Sequence, residues 1–215
     1  MSVRWRRWAP LIPAIIVFGV IAGVPAIRES MLRAAGRVLV VDEPVGPADV
    51  IVVPAWAGAA GAIDASDLIQ RGIANRVALL PEAPELAEQE LARRGVSFGD
   101  QNAALVQLFR SLKVANVEVI PDPAAGTEAE GQVLLAWCEQ HQFRSILVVS
   151  SPDHSRRVGR VIRRAMRGHP TKVMIRSARY SSFDPDRWWT TRDGMRTEIV
   201  ELEKLLLDVV RHPIP

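Results

Sequence analysis

The stretch Val148-Val149-Ser150-Ser151-Pro152-Asp153-His154-Ser155-Arg156-Arg157 decides the fold that we expect. It begins as an apolar, strand-like run, stops at two hydroxyl residues and continues into a basic helix. A strand followed directly by a helix is the repeating unit of α/β proteins, which bind ligands where the strands end and the helices begin. The sequence therefore predicts an α/β fold with a ligand site at this junction.

The alternation of apolar runs and helical patterns extends along the chain from residue 37. Short β-branched runs predict strands, and stretches with helical spacing that end at glycine or follow a capping residue predict helices. The predicted strands are Arg37–Val41, Val50–Val53, Arg76–Leu80, Val117–Ile120, Ile146–Ser150 and Lys172–Arg176. The predicted helices are Asp64–Gln70, Pro84–Arg94, Asn102–Leu112, Thr127–His141, Ser155–Arg167 and Arg192–Arg211. Strands that alternate with helices indicate a mostly parallel sheet.

The first residues of the chain indicate a membrane anchor. Residues Trp8–Ile27 contain no charged side chain, and three arginines precede them. About 20 helical residues cross a hydrocarbon core of about 30 Å, and the positive-inside rule keeps the basic end in the cytoplasm. We therefore expect an uncleaved single-pass anchor and linker in residues 1–36, and an extracytoplasmic α/β domain in residues 37–212. A cleaved signal peptide is the alternative, although no A-x-A cleavage site follows the run.

Composition limits the classes of function. Cys138 is the only cysteine, so an intrachain disulfide framework and a thiolate zinc site are excluded. No His, Asp or Glu cluster has the spacing of metal ligands, so we predict no metal site, and the sequence names no cofactor. The net charge of +3 suits anionic lipids, phosphorylated ligands or nucleic acid. Because nucleic acid is not expected outside the cytoplasmic membrane, we predict no nucleic-acid partner.

His154 and Arg157 are candidates for an anion site. They lie one turn apart near the start of the predicted helix, whose unpaired N–H groups and dipole favour negative charge. The imidazole suits general acid or base catalysis, and the planar guanidinium suits phosphate or carboxylate. A structural histidine and an internal salt bridge are the corresponding alternatives.

Two further groups of polar residues stand at predicted strand ends. Thr127 and Glu130 follow Val117–Ile120, which would place them on the same rim as His154. A helix cap with an acidic third residue explains these two residues without a function. Asp49 directly precedes Val50–Val53 and is either a strand-edge carboxylate or a solvent-facing turn residue.

Two helical stripes have simpler explanations. Arg156, Arg160, Arg163 and Arg167 recur at intervals of three and four residues, which predicts a solvated face, with contact to lipid headgroups as the alternative. An apolar stripe on the last helix predicts core packing. Its members are Ile199, Leu202, Leu205, Leu206 and Val209.

Several short motifs occur in an ordered combination along residues 37–210. They are Leu39-Val40-Val41-Asp42-Glu43-Pro44, Pro47-Ala48-Asp49-Val50-Ile51-Val52-Val53, Gly126-Thr127-x-x-Glu130, Val149-Ser150-Ser151-x-x-His154-x-x-Arg157, and finally Trp188-Trp189, Arg192 and Glu201-x-x-Lys204. In order and spacing this combination resembles the YdcF/SanA/ElyC-like family. The resemblance implies a Rossmann-like three-layer domain behind an N-terminal anchor, outside the cytoplasmic membrane and linked to cell-envelope biogenesis.

The resemblance also implies a set of site residues. Among these residues we expect His154 and Glu130 to be catalytic, and our leading hypothesis gives Glu130 the role of base; the others would bind the ligand. The ligand-binding residues would be Asp49, Thr127, Ser151, Arg157 and Arg196. The chain departs from the family where Pro54-Ala55-Trp56 and Leu80-Pro81-Glu82 replace two expected glycine turns, which favours a changed ligand or lost turnover.

Three functional hypotheses follow. The leading one is a membrane-anchored domain that binds an anionic or phosphorylated envelope precursor, such as an envelope lipid or a sugar phosphate. The second is a non-catalytic envelope factor whose pocket is degenerate and which binds lipid or a partner. The third is a cytoplasm-facing nucleotide or S-adenosylmethionine binder, which the fold class suits but which requires the opposite membrane topology.

Overall fold

The computed structural model describes residues 23–96 and 99–213, together with residue 19. These residues form an α/β fold with one five-stranded sheet and seven α-helices. The strands are β1 (Val50–Pro54), β2 (Val77–Leu80), β3 (Val117–Val119), β4 (Ser145–Ser150) and β5 (Lys172–Ser177). The helices are α1 (Pro25–Leu39), α2 (Gly58–Gln70), α3 (Leu86–Arg93), α4 (Gln101–Ser111), α5 (Thr127–His141), α6 (Pro152–Ala165) and α7 (Arg192–Arg211).

The sheet is parallel throughout, with the strand order β3-β2-β1-β4-β5. The central strand β1 pairs Val52 with Ala78 of β2 on one side and with Val148 of β4 on the other. The chain moves outward from β1 to β3, and then returns to place β4 on the opposite side of β1. The carboxyl ends of β1 and β4 therefore flank the point where the strand order reverses, which is where doubly wound sheets bind ligands.

Helices cover both faces of the sheet, because the strands are apolar on both sides. Val52 and Val148 point to a cluster that includes Leu134 and Trp137 of α5 and Ile162 of α6. The opposite face packs on α2 and α4, and its cluster includes Ile51, Val53, Ala65, Leu68 and Phe109. This layering is consistent with a Rossmann-like fold, and it confirms the predicted α/β class.

The predicted strand Arg37–Val41 is wrong. These residues end α1 and begin an extended connection to β1 that forms no strand. Gly36 lies where a Cβ atom would overlap the carbonyl oxygen of Pro185, so this end of α1 is packed closely on the domain. The predicted boundary between residues 36 and 37 consequently falls inside α1.

The predicted membrane span Trp8–Ile27 lies mostly outside the described residues. Within the part that the structure describes, no helix combines the length and the apolar character that a membrane crossing requires.

The apolar stripe predicted to be the core face of α7 is mostly exposed. Ile199 and Leu206 are 62% and 63% exposed, whereas Glu198, Glu201 and Asp208 are buried. The reason lies in α6, whose arginines pair with Glu201 and Asp208 across the interface between the two helices. Ion pairing between α6 and α7 therefore overrides the apolar pattern of α7, of which only Leu205 is fully buried.

The prediction that the arginine stripe of α6 is a solvated face is also wrong for Arg156, Arg160 and Arg163. Arg160 donates to Asp208 at 2.5 Å, and its side chain is 15% exposed. Arg156 donates to the carbonyl oxygens of Val38 and Val40, and Arg163 pairs with Glu43 at 2.6 Å. The stripe fixes α6 to α7 and to the connection after α1.

Candidate functional site

Five of the seven predicted site residues lie together at the carboxyl edge of the sheet. Ser151 immediately precedes α6, and His154 and Arg157 lie on its first two turns. Thr127 begins α5, and Glu130 lies one turn further along it. The two helices pack against each other, which brings Thr127 within hydrogen-bonding distance of Arg157.

His154 is oriented by a carboxylate from the last helix. Its Nδ1 atom lies 2.7 Å from Oε2 of Glu201, so we assign the imidazole proton to Nδ1 and a hydrogen bond from it to Glu201. The Nε2 atom lies 3.9 Å from Asp153, beyond hydrogen-bonding distance. A histidine held by a carboxylate through Nδ1 keeps Nε2 free to accept a proton, as in general-base catalysis.

Arg157 joins the two halves of the site. Its Nη1 donates to Oγ1 of Thr127 at 2.6 Å, while Nε and Nη2 lie 3.1 and 3.0 Å from Oε2 of Glu201. Thr127 was predicted to cap α5, but the residue at the cap position is Gly126 and no side chain caps this helix. The Thr127 hydroxyl instead serves as an acceptor for the guanidinium.

The carboxylate of Glu201 holds the basic side chains of the site in place. It is buried, and it pairs with His154, with Arg157 and, through Oε1, with Lys204 at 2.7 Å. Burial alone would raise the pKa of this carboxyl, but the hydrogen bond and charge of His154, with Lys204 and Arg157, lower the pKa to about 2. Glu201 is therefore ionised at neutral pH and orients two of the predicted anion-binding residues.

Glu130 lies behind a tryptophan. Its Oε1 accepts a hydrogen bond of 2.7 Å from Nε1 of Trp56, and its Oε2 is buried without a hydrogen-bond partner among the described residues. Burial raises the pKa of the Glu130 carboxyl, and the nearby charge of Glu82 raises it further, although the Trp56 hydrogen bond opposes this. A raised pKa moves a carboxyl toward the range in which it can exchange protons near neutral pH.

Trp56 occupies the crevice between β1 and β4. It follows β1 directly, packs against the apolar clusters on both faces of the sheet, and meets the His154 ring edge-on at 4.7 Å between centroids. In doubly wound sheets, ligands bind in this crevice, beside the helix that follows the first strand. Trp56 thereby covers Glu130, whose exposed fraction is 4%, and leaves His154 as the more accessible of the two.

Two helix N-termini border the site. Both α5 and α6 begin without a side-chain cap, so their first N–H groups are available to an anion. A groove of about 390 Å³ opens beside the start of α6, between α6 and α7, and it is lined by His154, Arg196 and Lys204 as well as three acidic residues. Thr127, at the start of α5, lines an adjoining groove together with Arg157 and Lys204. The cationic side chains and helix ends suit an anionic group approaching from the side of α7.

The other predicted ligand-binding residues lie outside the His154–Arg157 cluster. Arg196 lines the groove from α7 but is exposed and makes no hydrogen bond within the described residues. Asp49 lies at the opposite, amino edge of the sheet, where Oδ2 accepts from the N–H groups of Arg144 and Ser145 at 2.7 and 2.8 Å. The structure therefore does not bring Asp49 together with the rest.

Sequence reasoning missed the importance of three residues in this region. Trp56 and Glu201 were part of quoted motifs but were not predicted as site residues, because their partners are far away in the chain. Glu198 is fully buried beside Asp153, and both of its carboxyl oxygens are without a partner in the described part of the chain. Only its position one turn before Glu201 on α7 hinted that it would share the buried face.

One group of residues could approach a metal ion. Glu128, Asp208 and His212 each bring one ligand atom to within 4.8 Å of the others, although no metal-ligand spacing was found in the sequence. Asp208 is already paired with Arg160 and Arg164, and Arg164 also pairs with Glu128. A cation here would displace two guanidinium groups, so the charges do not favour a metal.

The chain was compared with protein-family models and with curated protein sequences. No family model matches it, and no curated protein matches it either.

Proposed function

We propose that this chain is a membrane-anchored, extracytoplasmic protein whose α/β domain binds an anionic, phosphorylated envelope precursor and thereby contributes to cell-envelope biogenesis. The observation that carries the proposal is the convergence of His154, Arg157 and the uncapped starts of α5 and α6 at the carboxyl edge of a parallel sheet. The motif resemblance to the YdcF/SanA/ElyC-like family supports the envelope role.

The ligand's anionic group would lie in the groove between α6 and α7. Lys204 lines this groove and its side chain is 49% exposed, so it can turn from Glu201 toward an incoming phosphate. Arg157 lines the adjoining groove, which also contains Lys204. It is held by Thr127 and Glu201, so it would present a planar donor to an anion beside Lys204 without a large loss of side-chain entropy on binding. The preformed ion pairs keep the site positioned before the ligand arrives.

His154 would transfer a proton in any reaction at this site. Glu201 orients the imidazole through Nδ1, so Nε2 is the atom that would accept a proton from an attacking water or hydroxyl. Glu130 would contribute as a second acid or base only after Trp56 moves, because the indole covers it. The reaction class suited to this arrangement is hydrolysis or transfer at a phosphorylated group.

Ligand binding is tested by thermal unfolding of the full chain in detergent. The probes are inorganic phosphate, nucleotides, sugar phosphates and polyprenyl-phosphate analogues, each added to wild type, Arg157→Ala and the control Arg110→Ala on the far layer. We expect one phosphorylated class to raise the melting temperature of wild type and of the control but not of Arg157→Ala. No shift with any probe, or an equal shift in all three proteins, would contradict the proposed anion site.

The membrane orientation has its own test. Alkaline phosphatase fused after Pro215 is active only outside the cytoplasm, so an active fusion supports the proposed topology and excludes a cytoplasm-facing nucleotide or S-adenosylmethionine binder. An inactive fusion with normal expression would instead favour that third hypothesis.

A non-catalytic envelope factor is a second candidate, and one observation favours it. Glu201 already pairs with both His154 and Arg157, while Trp56 fills the crevice beside them. A site that is closed in this way suits a protein that catalyses no reaction. A His154→Ala protein that is folded and retains full function in an envelope-integrity assay would select this candidate over an enzyme.

A further inference from the structure

Helix α7 presents an apolar side to solvent. Its buried acidic residues Glu198, Glu201 and Asp208 face α6, so most of its apolar side chains lie on the outside. The exposed members are Met195, Ile199, Leu206, Val209 and Val210. These side chains extend over most of a 20-residue helix, so they form a larger apolar surface than isolated exposed residues do. Large exposed apolar surfaces mark contact sites.

Helix α1 adds a second exposed strip. Val24, Ile27, Met31 and Val38 recur at helical intervals and are all at least 40% exposed. Helices α1 and α7 pack against each other, and Leu39 of α1 shares an apolar cluster with Leu202 and Leu205 of α7. We call the exposed apolar side chains of these two helices the α1/α7 face.

The exposed charges beside the α1/α7 face are mostly basic, although Asp193 and Glu203 of α7 are exposed as well. Arg28, Arg192, Arg196 and Arg211 are exposed on the same two helices, and none of them forms an ion pair within the described residues. Arginines next to exposed apolar side chains are the composition with which amphipathic helices bind anionic bilayers. Each basic residue near such a surface adds to the attraction, and its apolar stem can also be buried there.

We propose that the α1/α7 face lies on the surface of an anionic phospholipid bilayer. The inference rests on the membrane anchor of the proposed function, because α1 begins at Pro25, where the apolar run Trp8–Ile27 ends. A chain that leaves the bilayer there holds α1, and the α7 that packs on it, next to the lipid headgroups. The anion groove also runs along α7, so its opening would face ligands that are carried in the membrane.

A second copy of the chain fits the α1/α7 face less well. A symmetric dimer would place four arginines of each copy at one interface. They outnumber the exposed acidic residues Asp193 and Glu203 of α7, so like charges would oppose association. The residues before α1 are the remaining occupant, but folding them back onto α7 would leave these arginines without an anionic partner. Lipid headgroups supply that partner.

The test places a fluorescent label at residue 206 in the full chain. Cys138 is buried and burial raises its pKa to about 12, so an introduced cysteine is labelled selectively. Leu206→Cys carries the label on the α1/α7 face, and Gln107→Cys on α4, in the opposite layer, is the matched control. Both proteins are reconstituted into vesicles that contain phosphatidylglycerol, with quenchers attached either to the lipids or to a water-soluble ion.

We expect lipid-borne quenchers to remove most of the fluorescence at residue 206, aqueous quenchers to have little effect there, and the control to show the reverse. Replacing phosphatidylglycerol by phosphatidylcholine should reduce the lipid quenching. Aqueous quenching at residue 206 equal to the control would overturn the inference. Protection from water without lipid quenching would also overturn it: if the protection is lost on diluting the chain in the membrane, a second copy covers the face, and if it persists in detergent, the chain's own N-terminal residues do.

Alkaline extraction of the same vesicles separates this inference from the anchor. Retention in the membrane with a water-exposed label at residue 206 would leave the anchor standing and remove the inference. Release by alkali, combined with lipid quenching before extraction, would remove the anchor and support surface contact by the α1/α7 face alone.

Discussion

The Nδ1 atom of His154 lies 2.7 Å from Oε2 of Glu201, although 47 positions separate the two residues in the chain. The same carboxylate accepts from Arg157 and Lys204, so one buried charge organises cationic residues of two helices. Position and charge state at the site therefore depend on how α7 packs on α6.

Glu201→Gln should lower the free energy of unfolding by about 2–3 kcal/mol at pH 7, because it leaves partly buried cations without their counter-charge. The pKa of Glu201 is about 2 in the folded state and about 4.5 ordinarily, so its stabilising effect is complete above pH 4.5. The effect is lost as the pH falls from there toward 2. Denaturant unfolding of both proteins at pH 7, 4 and 2.5 measures this convergence.

The control is Glu203→Gln, an exposed position on the same helix. It should change the free energy of unfolding by less than about 0.5 kcal/mol at every pH. Equal effects of the two substitutions, or a difference at position 201 that does not shrink in acid, would show that Glu201 does not hold the cations as described.

Trp56→Phe should cost about 1–2 kcal/mol of stability beyond the small change in packing, because Oε1 of Glu130 loses its donor while remaining buried. The size of this hydrogen bond is measured by a double-mutant cycle with Glu130→Leu, which removes the acceptor. We expect Trp56→Phe to cost much less in the Glu130→Leu background. Additive effects of the two substitutions would mean that the indole and the carboxyl do not interact.

The sequence was sufficient to predict most of the sheet. Continuous β-branched runs such as Val50–Val53 mark strands that are buried on both faces, and all five observed strands overlap predicted ones. The bounds of α7, Arg192–Arg211, were also predicted. In the structure Thr191 caps this helix, and its side chain accepts from the N–H of Gly194. These features depend on local sequence and on the period of the apolar pattern.

Features that depend on contacts between residues far apart in the chain were not predictable. The apolar stripe of α7 looked like a core face, but the arginines of α6 select the acidic face instead. Arg37–Val41 has the composition of a strand, yet close packing of Gly36 on Pro185 continues α1 through Leu39. Thr127 lies beside Arg157 in the structure, but the two residues are 30 positions apart and no local pattern identified their hydrogen bond.

Gly36→Ala should destabilise the chain by about 1–3 kcal/mol, because the new methyl group would overlap backbone atoms of Pro185 and the Trp188 side chain. The neighbouring backbone has to shift, so α1 should loosen from the domain. Gly46→Ala is the control, since its Cβ would meet only Met174 at an ordinary distance of 4.0 Å. Hydrogen exchange of the α1 amides provides the local measurement. Faster exchange in both variants, or in neither, would contradict the close approach at Gly36.

Glu198→Gln should stabilise the chain at alkaline pH and have little effect in acid. Glu198 is fully buried, and burial together with the charge of Asp153 raises its pKa to about 7, above an ordinary value of 4.5. A carboxyl whose pKa is raised on folding binds its proton more tightly in the folded state, so wild-type stability falls as the pH rises from 4.5 through 7. At pH 8 the wild type should be about 2–3 kcal/mol less stable than it would be with a neutral side chain at this position.

Unfolding of both proteins at pH 4 and pH 8 gives the comparison. Because any packing defect of glutamine acts equally at both pH values, only the change with pH is diagnostic. A difference between the two proteins that stays constant from pH 4 to pH 8 would mean that folding does not raise the pKa of Glu198.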